Sequence, residues 1–234
     1  MKTILASAII IFVAILSARA QTAKSEPIKL APGSAVTIDG KIEAAEWKDA
    51  AAFDLTGGGR VFFKHDGEYL FVGVRGTQKG WSHLYLNQGE NTDVAVMHAS
   101  AALGMTLYSQ DKNNLWQPAN PFAWDLRERT ITAETQKKMA DYLMKNFWAA
   151  NNNNMSNSAE IEFQVKPRNA ADKTFYAAVV YASDAKAPHY FPAGLKDDTV
   201  KEDLVRGNTP PDLKFDRGGW AKIVLENKKS PAAK

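Results

Sequence analysis

A short hairpin signal in the first third of the chain constrains the fold most. Two alternating apolar runs, residues 61–64 and 69–74, lie on either side of Asp66-Gly67. A tight turn requires positive φ, which glycine adopts at no steric cost, so Asp-Gly between two such runs predicts an antiparallel hairpin. The folded part of the chain is therefore expected to begin as a β-sheet.

Strand-like alternation recurs along the rest of the chain. It appears in residues 93–99, 160–165 and 220–225, and residues 175–181 are apolar on both faces, as in a central strand. Several short strands separated by turn signals predict an all-β fold, an antiparallel β-sandwich.

One segment, residues 132–150, has helical spacing instead. Met139, Leu143 and Phe147 recur every four residues. Thr132 can cap the amino end, and Glu134 in the first turn is favoured by the helix dipole. The pattern predicts one α-helix inserted between strands, ended by the asparagines at 151–154.

The amino terminus has the pattern of a secretory signal. Lys2 supplies the positive charge, residues 4–16 the apolar core, and Ala18-Arg19-Ala20 the small-x-small cleavage site. We expect residues 1–20 to be a signal peptide and the protein to be secreted or periplasmic, although a retained anchor remains open. The apolar core is shorter than the roughly 20 residues of a membrane span.

Composition excludes several classes. The chain has no cysteine, which rules out disulfides, thiolate metal sites and a lipid-bearing cysteine. Without Lys2 and Arg19, 27 basic and 26 acidic residues remain. Such a balance gives no concentrated basic face, so no nucleic-acid partner is predicted.

The expected organisation is one domain between two short polar segments. Residues 21–34, with Pro27 and Pro32, are predicted to be a linker, and residues 227–234 a disordered tail. Residues 35–226 form the predicted sandwich, which is long enough to bury a substantial core.

The segment before the hairpin has a distinctive motif, in which Ile38, Asp39, Gly40, Ile42, Glu43 and Trp47 are followed by Tyr69-Leu70-Phe71-Val72-Gly73. This motif resembles the entry strand and hairpin of the family 9 carbohydrate-binding modules and their DOMON-like relatives. Residues 159–167 look like the acidic-then-apolar strand of that family, which ends in proline. The resemblance implies a jelly-roll or DOMON-like sandwich that binds sugar.

The resemblance also implies calcium as a ligand of this motif. In the family, acidic residues of this motif tie down the chain end or hold calcium, so Asp39 and Glu43 are calcium candidates. Ala44 stands where a second acidic residue is common, which weakens that expectation. No other cofactor is expected from this motif.

Loop tryptophans are the candidate saccharide ligands, together with neighbouring amides. An indole that shields about 100 Å² of a sugar's apolar face contributes roughly 2.5 kcal/mol. Loops present such rings more readily than core strands, although a loop tryptophan can also simply cover the core. The candidates are Trp81, Trp116, Trp124, Gln117 and Asn120, whereas Trp47 and Trp220 are expected in the core.

Two other function classes stay open. Some DOMON-like relatives hold haem through methionine and histidine, for which Met97 or Met105 with His189 would be the ligands; Met97 and His98, adjacent on a strand, face opposite ways. A structural envelope protein without ligand is the third possibility. No H-E-x-x-H or G-x-S-x-G motif is present, so we favour a non-enzymatic, exported saccharide-binding protein, acting in carbohydrate catabolism.

Overall fold

The computed structural model describes residues 26–89, 93–119, 123–125, 132–152, 159–183, 186–195, 204, 206–207, 210 and 213–227. Within them it contains two β-sheets and one α-helix, α1 (Ala133–Asn146). The strands are β1 (Ile28–Leu30), β2 (Ala51–Asp54), β3 (Arg60–His65), β4 (Leu70–Arg75), β5 (Trp81–Gln88), β6 (Val94–Ala99), β7 (Leu103–Gln110), β8 (Trp116–Pro118), β9 (Ala123–Asp125), β10 (Trp148–Asn152), β11 (Glu160–Val165), β12 (Thr174–Ser183), β13 (Lys186–Phe191) and β14 (Ala221–Leu225).

The two sheets differ in width. The larger, nine-stranded sheet has the order β1-β14-β12-β5-β6-β7-β8, with β13 also beside β12 and β9 also beside β7. The smaller, five-stranded sheet has the order β10-β11-β4-β3-β2. Neighbours run antiparallel except β1 and β14, which are parallel. The predicted all-β sandwich with one helix is confirmed.

The predicted hairpin is β3 and β4. They pair antiparallel from Val61 opposite Val74 to His65 opposite Leu70. In the turn, Gly67 has a φ of 104°. The Asp66 carboxylate accepts the backbone N–H of Glu68 and of Tyr69, both at 2.8 Å. The turn residues thus set the register that places the alternating apolar side chains inward.

The main core lies between the sheets. Inward-facing residues of β3, β4 and β11 meet those of β5, β12 and β14, because successive strand residues point to opposite faces. This cluster includes Val61, Phe63, Val72, Phe163, Leu84, Phe175, Val179 and Ile223, and it also receives Tyr142 and Leu143 from α1.

Both outer sheet faces are also covered. The segment before β2 packs Val36, Ile42 and Trp47 on Phe62 and Phe71 of the smaller sheet. The segment before β14 covers the larger sheet in the same way. There, Leu204, Leu213, Phe215 and Trp220 pack on Tyr85, Val94, Val96, Tyr108, Trp116, Ala178 and Val180. This second cover explains why residues 175–181 are apolar on both faces.

The helix begins as predicted and ends earlier. Thr132 caps it in a reciprocal capping box with Thr135. Phe147, with a φ of 64°, ends it, whereas the sequence pattern predicted helix through residue 150. Residues 148–152 instead form β10, paired along the edge of β11. A continued helix and a strand would both bury Trp148 and the two alanines that follow it. Pairing with β11 selects the strand.

The predicted linker overlaps the sheet. Residues 21–34 were expected to be outside the fold, but Ile28–Leu30 form β1 on the edge of the larger sheet, with Leu30 buried. The signal peptide, the start of the linker and most of the predicted tail lie outside the described residues and stay predictions. Among the described helical segments, none has the length and apolar character needed to cross a membrane.

Candidate functional site

A groove opens on the outer face of the larger sheet, where the β7–β8 turn approaches the segment before β14. We call it the Trp116 groove. The space in and directly above it is about 770 Å³, which includes open solvent at its mouth. The residues that line it are Gln110, Asn114, Leu115 and Trp116 on one side and Leu213, Lys214, Phe215 and Arg217 on the other.

The β7–β8 turn fixes one wall of the groove. The Asp111 carboxylate accepts the backbone N–H of Asn113 at 2.8 Å and of Leu115 at 2.9 Å. The Asn114 N–H donates to the Asp111 carbonyl, and Asn114 has a φ of 61°, a conformation that asparagine tolerates better than most residues. The turn therefore holds Leu115, which is 49% exposed, at the groove.

An aromatic group forms the floor. The Trp116 ring meets the Phe215 ring edge-to-face, with 4.8 Å between centroids, and Phe215 also contacts Tyr108 and Trp220. Trp116 is only 6% exposed. Its packing fixes the floor, but the ring is not presented as the exposed plate that the sequence led us to expect.

Polar groups form the rim. The Arg217 guanidinium donates to the Asn87 amide oxygen at 3.0 Å, and Asn87 in turn donates to the Asp93 carbonyl. The exposed Lys214 and two exposed amide side chains complete the rim. The groove thus combines apolar surface with fixed donors and acceptors. Hydrolysis of a glycosidic bond uses two carboxyl groups, and the described residues of the lining include no carboxylate.

The structure brings together only some of the predicted saccharide ligands. Gln117 is exposed beside Trp116 on β8. Trp81 is partly exposed at the start of β5, near the Leu103 end of β7, whereas Trp116 pairs with Gln110 at the other end. Seven residues of strand at about 3.3 Å each place these two ends roughly 23 Å apart.

The other two saccharide candidates, Trp124 and Asn120, have no described side chain. Trp124 lies on β9 opposite Gly104, and only the backbone of that strand is described. Asn120 lies outside the described residues. Both stay predictions.

In the amino-terminal motif that carries the family resemblance, three N–H groups converge on one buried carboxylate. The buried Glu162 carboxylate accepts the Gly40 N–H at 2.8 Å, the Asp39 N–H at 3.0 Å and the Trp47 indole N–H at 2.8 Å. Desolvation by burial raises the pKa of Glu162 to about 8. Glu162 was one of several carboxylates available from sequence, and no local pattern distinguished it.

The calcium candidates do not converge. The Asp39 carboxylate accepts the Lys41 N–H at 2.9 Å and pairs with the Lys41 ammonium at 3.5 Å, while Glu43 is exposed. Calcium takes six to eight oxygen ligands. Among the described residues, no group of three or more His, Cys, Asp or Glu side chains is arranged to hold a metal ion, so Asp39 and Glu43 do not fit a calcium site here.

The candidate haem ligands are separated. Met97 and Met105 lie opposite each other on β6 and β7 and line a cleft between the sheets. His189 is on β13, where its Nδ1 lies 2.8 Å from the Gly58 carbonyl. Strands β12 and β5 lie between β13 and β6, a lateral distance of about 14 Å at roughly 4.8 Å per strand. The structure does not bring His189 beside either methionine.

The fold and groove together define an all-β sandwich with an open groove on the outer face of its larger sheet. No protein-family model matches the chain, and a search of curated proteins found no similar sequence. One solved structure that is similar is described as a putative carbohydrate-binding protein from Bacteroides uniformis ATCC 8492. It has 10% sequence identity and a TM-score of 0.44, over 86% of this chain and 100% of that chain.

Proposed function

We propose that this protein is an exported, non-enzymatic saccharide-binding protein whose ligand occupies the Trp116 groove. The observation that supports the proposal most is the mixed lining of the groove. Leu115 and the aromatic floor supply apolar surface, and Lys214 and Arg217 supply donors on the rim. A pyranose has the matching pair of surfaces, an apolar C–H face and a rim of hydroxyl groups.

The energetics set a lower limit on the contacts needed. Millimolar affinity corresponds to about 4 kcal/mol. Shielding about 60 Å² of Leu115 contributes roughly 1.5 kcal/mol at ~25 cal/mol per Å². The remainder must come from hydrogen bonds to the rim and from the exposed edge of the floor, so more than one sugar unit is expected to bind.

Export and partner choice are part of the same proposal. The signal pattern in residues 1–20 supports export to the periplasm or the extracellular medium. In either place the protein would encounter oligosaccharides from outside the cell. The near balance of acidic and basic residues outside that segment supports a neutral ligand over nucleic acid. The resemblance of the amino-terminal motif to family 9 modules supports the same ligand class.

The test is calorimetric titration of the purified protein with a panel of neutral oligosaccharides, following a glycan-array screen. Leu115→Ala is expected to weaken binding about tenfold, which corresponds to roughly 1.4 kcal/mol. Lys214→Gln should weaken binding as well. Trp116→Phe is preferred to Trp116→Ala, because truncation of a buried ring would leave a cavity.

Met144→Ala is the matched control. Met144 is 63% exposed on α1 and does not line the groove, so its removal should leave saccharide affinity unchanged. Absence of binding across the panel, or equal losses in Leu115→Ala and Met144→Ala, would contradict the proposal and favour a structural role without ligand.

A further inference from the structure

One buried amide side chain lies directly behind the Trp116 groove. Asn87 is two residues from Tyr85 on β5, so it shares the outer face of the larger sheet. It is only 1% exposed and is not among the residues that line the groove. A buried amide costs free energy unless it is hydrogen-bonded. The contacts of Asn87 therefore indicate why a polar residue lies at this position.

Two hydrogen bonds fix the orientation of this amide. The Asn87 nitrogen donates to the Asp93 carbonyl at 2.8 Å. The Asn87 oxygen accepts the Nη1–H of Arg217 at 3.0 Å. Exchange of the amide nitrogen and oxygen would break both bonds, because one partner accepts and the other donates. Asn87 thus holds the Arg217 guanidinium from the side of the sheet.

The backbone of Arg217 is held as well. Arg217 begins a short 3₁₀ turn, Arg217–Gly219, in which the Asp216 carboxylate accepts the Gly218 N–H at 3.2 Å. The Arg217 carbonyl accepts the N–H of the buried Trp220, also at 3.2 Å. Both ends of the Arg217 side chain are therefore anchored, and the side chain stays partly exposed at the groove.

Lys214 differs from Arg217 in this respect. It lines the same groove, but it is exposed, and its ammonium makes no ion pair with any described residue. A long side chain that becomes ordered only on binding loses rotamer freedom at that step, whereas one that is ordered beforehand does not. A ligand therefore gains more from a hydrogen bond to Arg217 than from one to Lys214.

The shape of the guanidinium restricts which acceptors it suits. It is planar and presents parallel N–H donors, which match two acceptor oxygens that lie side by side. Adjacent hydroxyl groups of a pyranose supply such a pair of oxygens. The ammonium of Lys214 is a compact charge with rotatable donors, so it does not require paired acceptors.

We propose that Arg217, positioned by Asn87, determines the specificity of the Trp116 groove by recognising two adjacent hydroxyl groups of one sugar unit. Asn87 is a positioning residue, because it acts through Arg217 and does not contact the ligand. This inference rests on the proposed function and makes it more specific. The groove selects saccharides whose bound unit carries two adjacent, unsubstituted hydroxyl groups.

Calorimetric titration of the purified protein with cellotetraose, xylotetraose, mannotetraose and maltotetraose tests the role of Arg217. For the tetrasaccharide that binds most tightly, Arg217→Gln is expected to weaken binding about tenfold, and the control Lys214→Gln less than about threefold. Equal losses in the two variants, or no loss in Arg217→Gln, would overturn this inference and leave the proposed function intact. Absence of binding to all four sugars would contradict both.

A double-mutant cycle tests the positioning role of Asn87. Asn87→Leu removes the acceptor and should weaken binding of the same tetrasaccharide about fivefold, with no further loss in the Arg217→Gln background. Asn87→Asp keeps an acceptor for Arg217 and should bind within about twofold of the parent. Thermal unfolding checks that each variant is folded. A loss that persists in the Arg217→Gln background, or an equal loss in Asn87→Asp, would mean that Asn87 does not act through Arg217.

Altered ligands test the recognition of adjacent hydroxyl groups. Among monodeoxy analogues of the same tetrasaccharide, removal of either of two neighbouring hydroxyl groups should weaken binding to the parent about tenfold. The same removals should have no effect on binding to Arg217→Gln. The assignment is wrong if no such pair of positions is found. Tighter binding of tetragalacturonate than of every neutral tetrasaccharide would also overturn it, because Arg217 would then recognise a carboxylate.

Discussion

The indole N–H of Trp47 donates to the Glu162 carboxylate at 2.8 Å, across 115 positions of sequence. This hydrogen bond joins the segment before β2 to the outer face of the smaller sheet. The same carboxylate accepts two backbone N–H groups at residues 39 and 40. A single buried side chain thus holds the cover of one sheet face in place.

Glu162→Ala is expected to destabilise the protein by about 3 kcal/mol or more, since it leaves three N–H donors without their acceptor. Chemical denaturation with a tryptophan fluorescence readout measures the change. Glu134→Ala is the control, because the Glu134 side chain is 78% exposed and its loss should alter stability by less than about 0.5 kcal/mol. Similar effects of the two substitutions would contradict the anchoring role of Glu162.

Stability should fall as the pH rises from about 6.5 to 8. Desolvation raises the pKa of Glu162 from 4.5 to about 8. Between pH 4.5 and about 8, the Glu162 carboxyl is protonated in the folded protein but ionised in the unfolded chain. The stabilisation that is fully present below pH 4.5 is therefore lost as the pH rises through the folded-state pKa of Glu162. Unfolding free energies across this range measure the slope.

Glu162→Gln is the control for that slope. The amide does not titrate, so the variant should be less stable than the parent near pH 6.5 and should show a flatter profile between pH 6.5 and 8. A parent profile that rises over this window, or a slope that persists in Glu162→Gln, would disprove the assignment.

Acid should destabilise the protein through a histidine pair. Nε2 of His83 lies 2.8 Å from Nδ1 of His98, and both side chains are buried on the outer side of the larger sheet. Desolvation, with a smaller contribution from the charge of Arg206, lowers the pKa of His98 from 6.5 to about 4. Desolvation and His98 hold the pKa of His83 well below its usual range.

The two histidines and Glu162 have opposite effects on how the unfolding free energy depends on pH. Below pH 6.5 the unfolded chain binds protons that the folded pair excludes, so stability should fall as the pH decreases from about 6.5 to 4. Thermal unfolding measures the decline. His98→Gln should reduce the loss of stability between about pH 6.5 and 4. If this loss is unchanged in the variant, the histidine pair is not its cause.

Two adjacent helix positions should differ strongly. Leu143 is 8% exposed and packs in the main core, whereas Met144 is 63% exposed. Leu143→Ala should cost about 2–4 kcal/mol, because it removes buried methyl groups and leaves a cavity. Met144→Ala should change the unfolding free energy by less than about 0.5 kcal/mol. Equal effects would mean that α1 does not pack as described.

Features that depend on neighbouring residues could be read from the sequence. The β3–β4 hairpin followed from Asp66-Gly67, and the start of α1 followed from the Thr132 cap, because both signals act over a few residues. The end of α1 could not be read in this way. Trp148 and the residues after it suit a buried helix or a buried strand, and only the free edge of β11 selects the strand.

The Trp116 groove depends on residues about 100 positions apart. Trp116 was selected from sequence as a binding residue, but its burial follows from Phe215, whose position no local pattern reveals. Glu162 was likewise one carboxylate among several until the chain placed Trp47 and residues 39–40 around it.

By itself, the sequence determined the sandwich class, the hairpin register and the first turn of the helix, because alternation, turn glycine and cap act between near neighbours. Only the tertiary structure decided which sheet faces are covered, where the groove and the cleft open, and which carboxylate is buried. Those features arise from contacts between distant segments, and burial and desolvation exist only after the chain has brought those segments together.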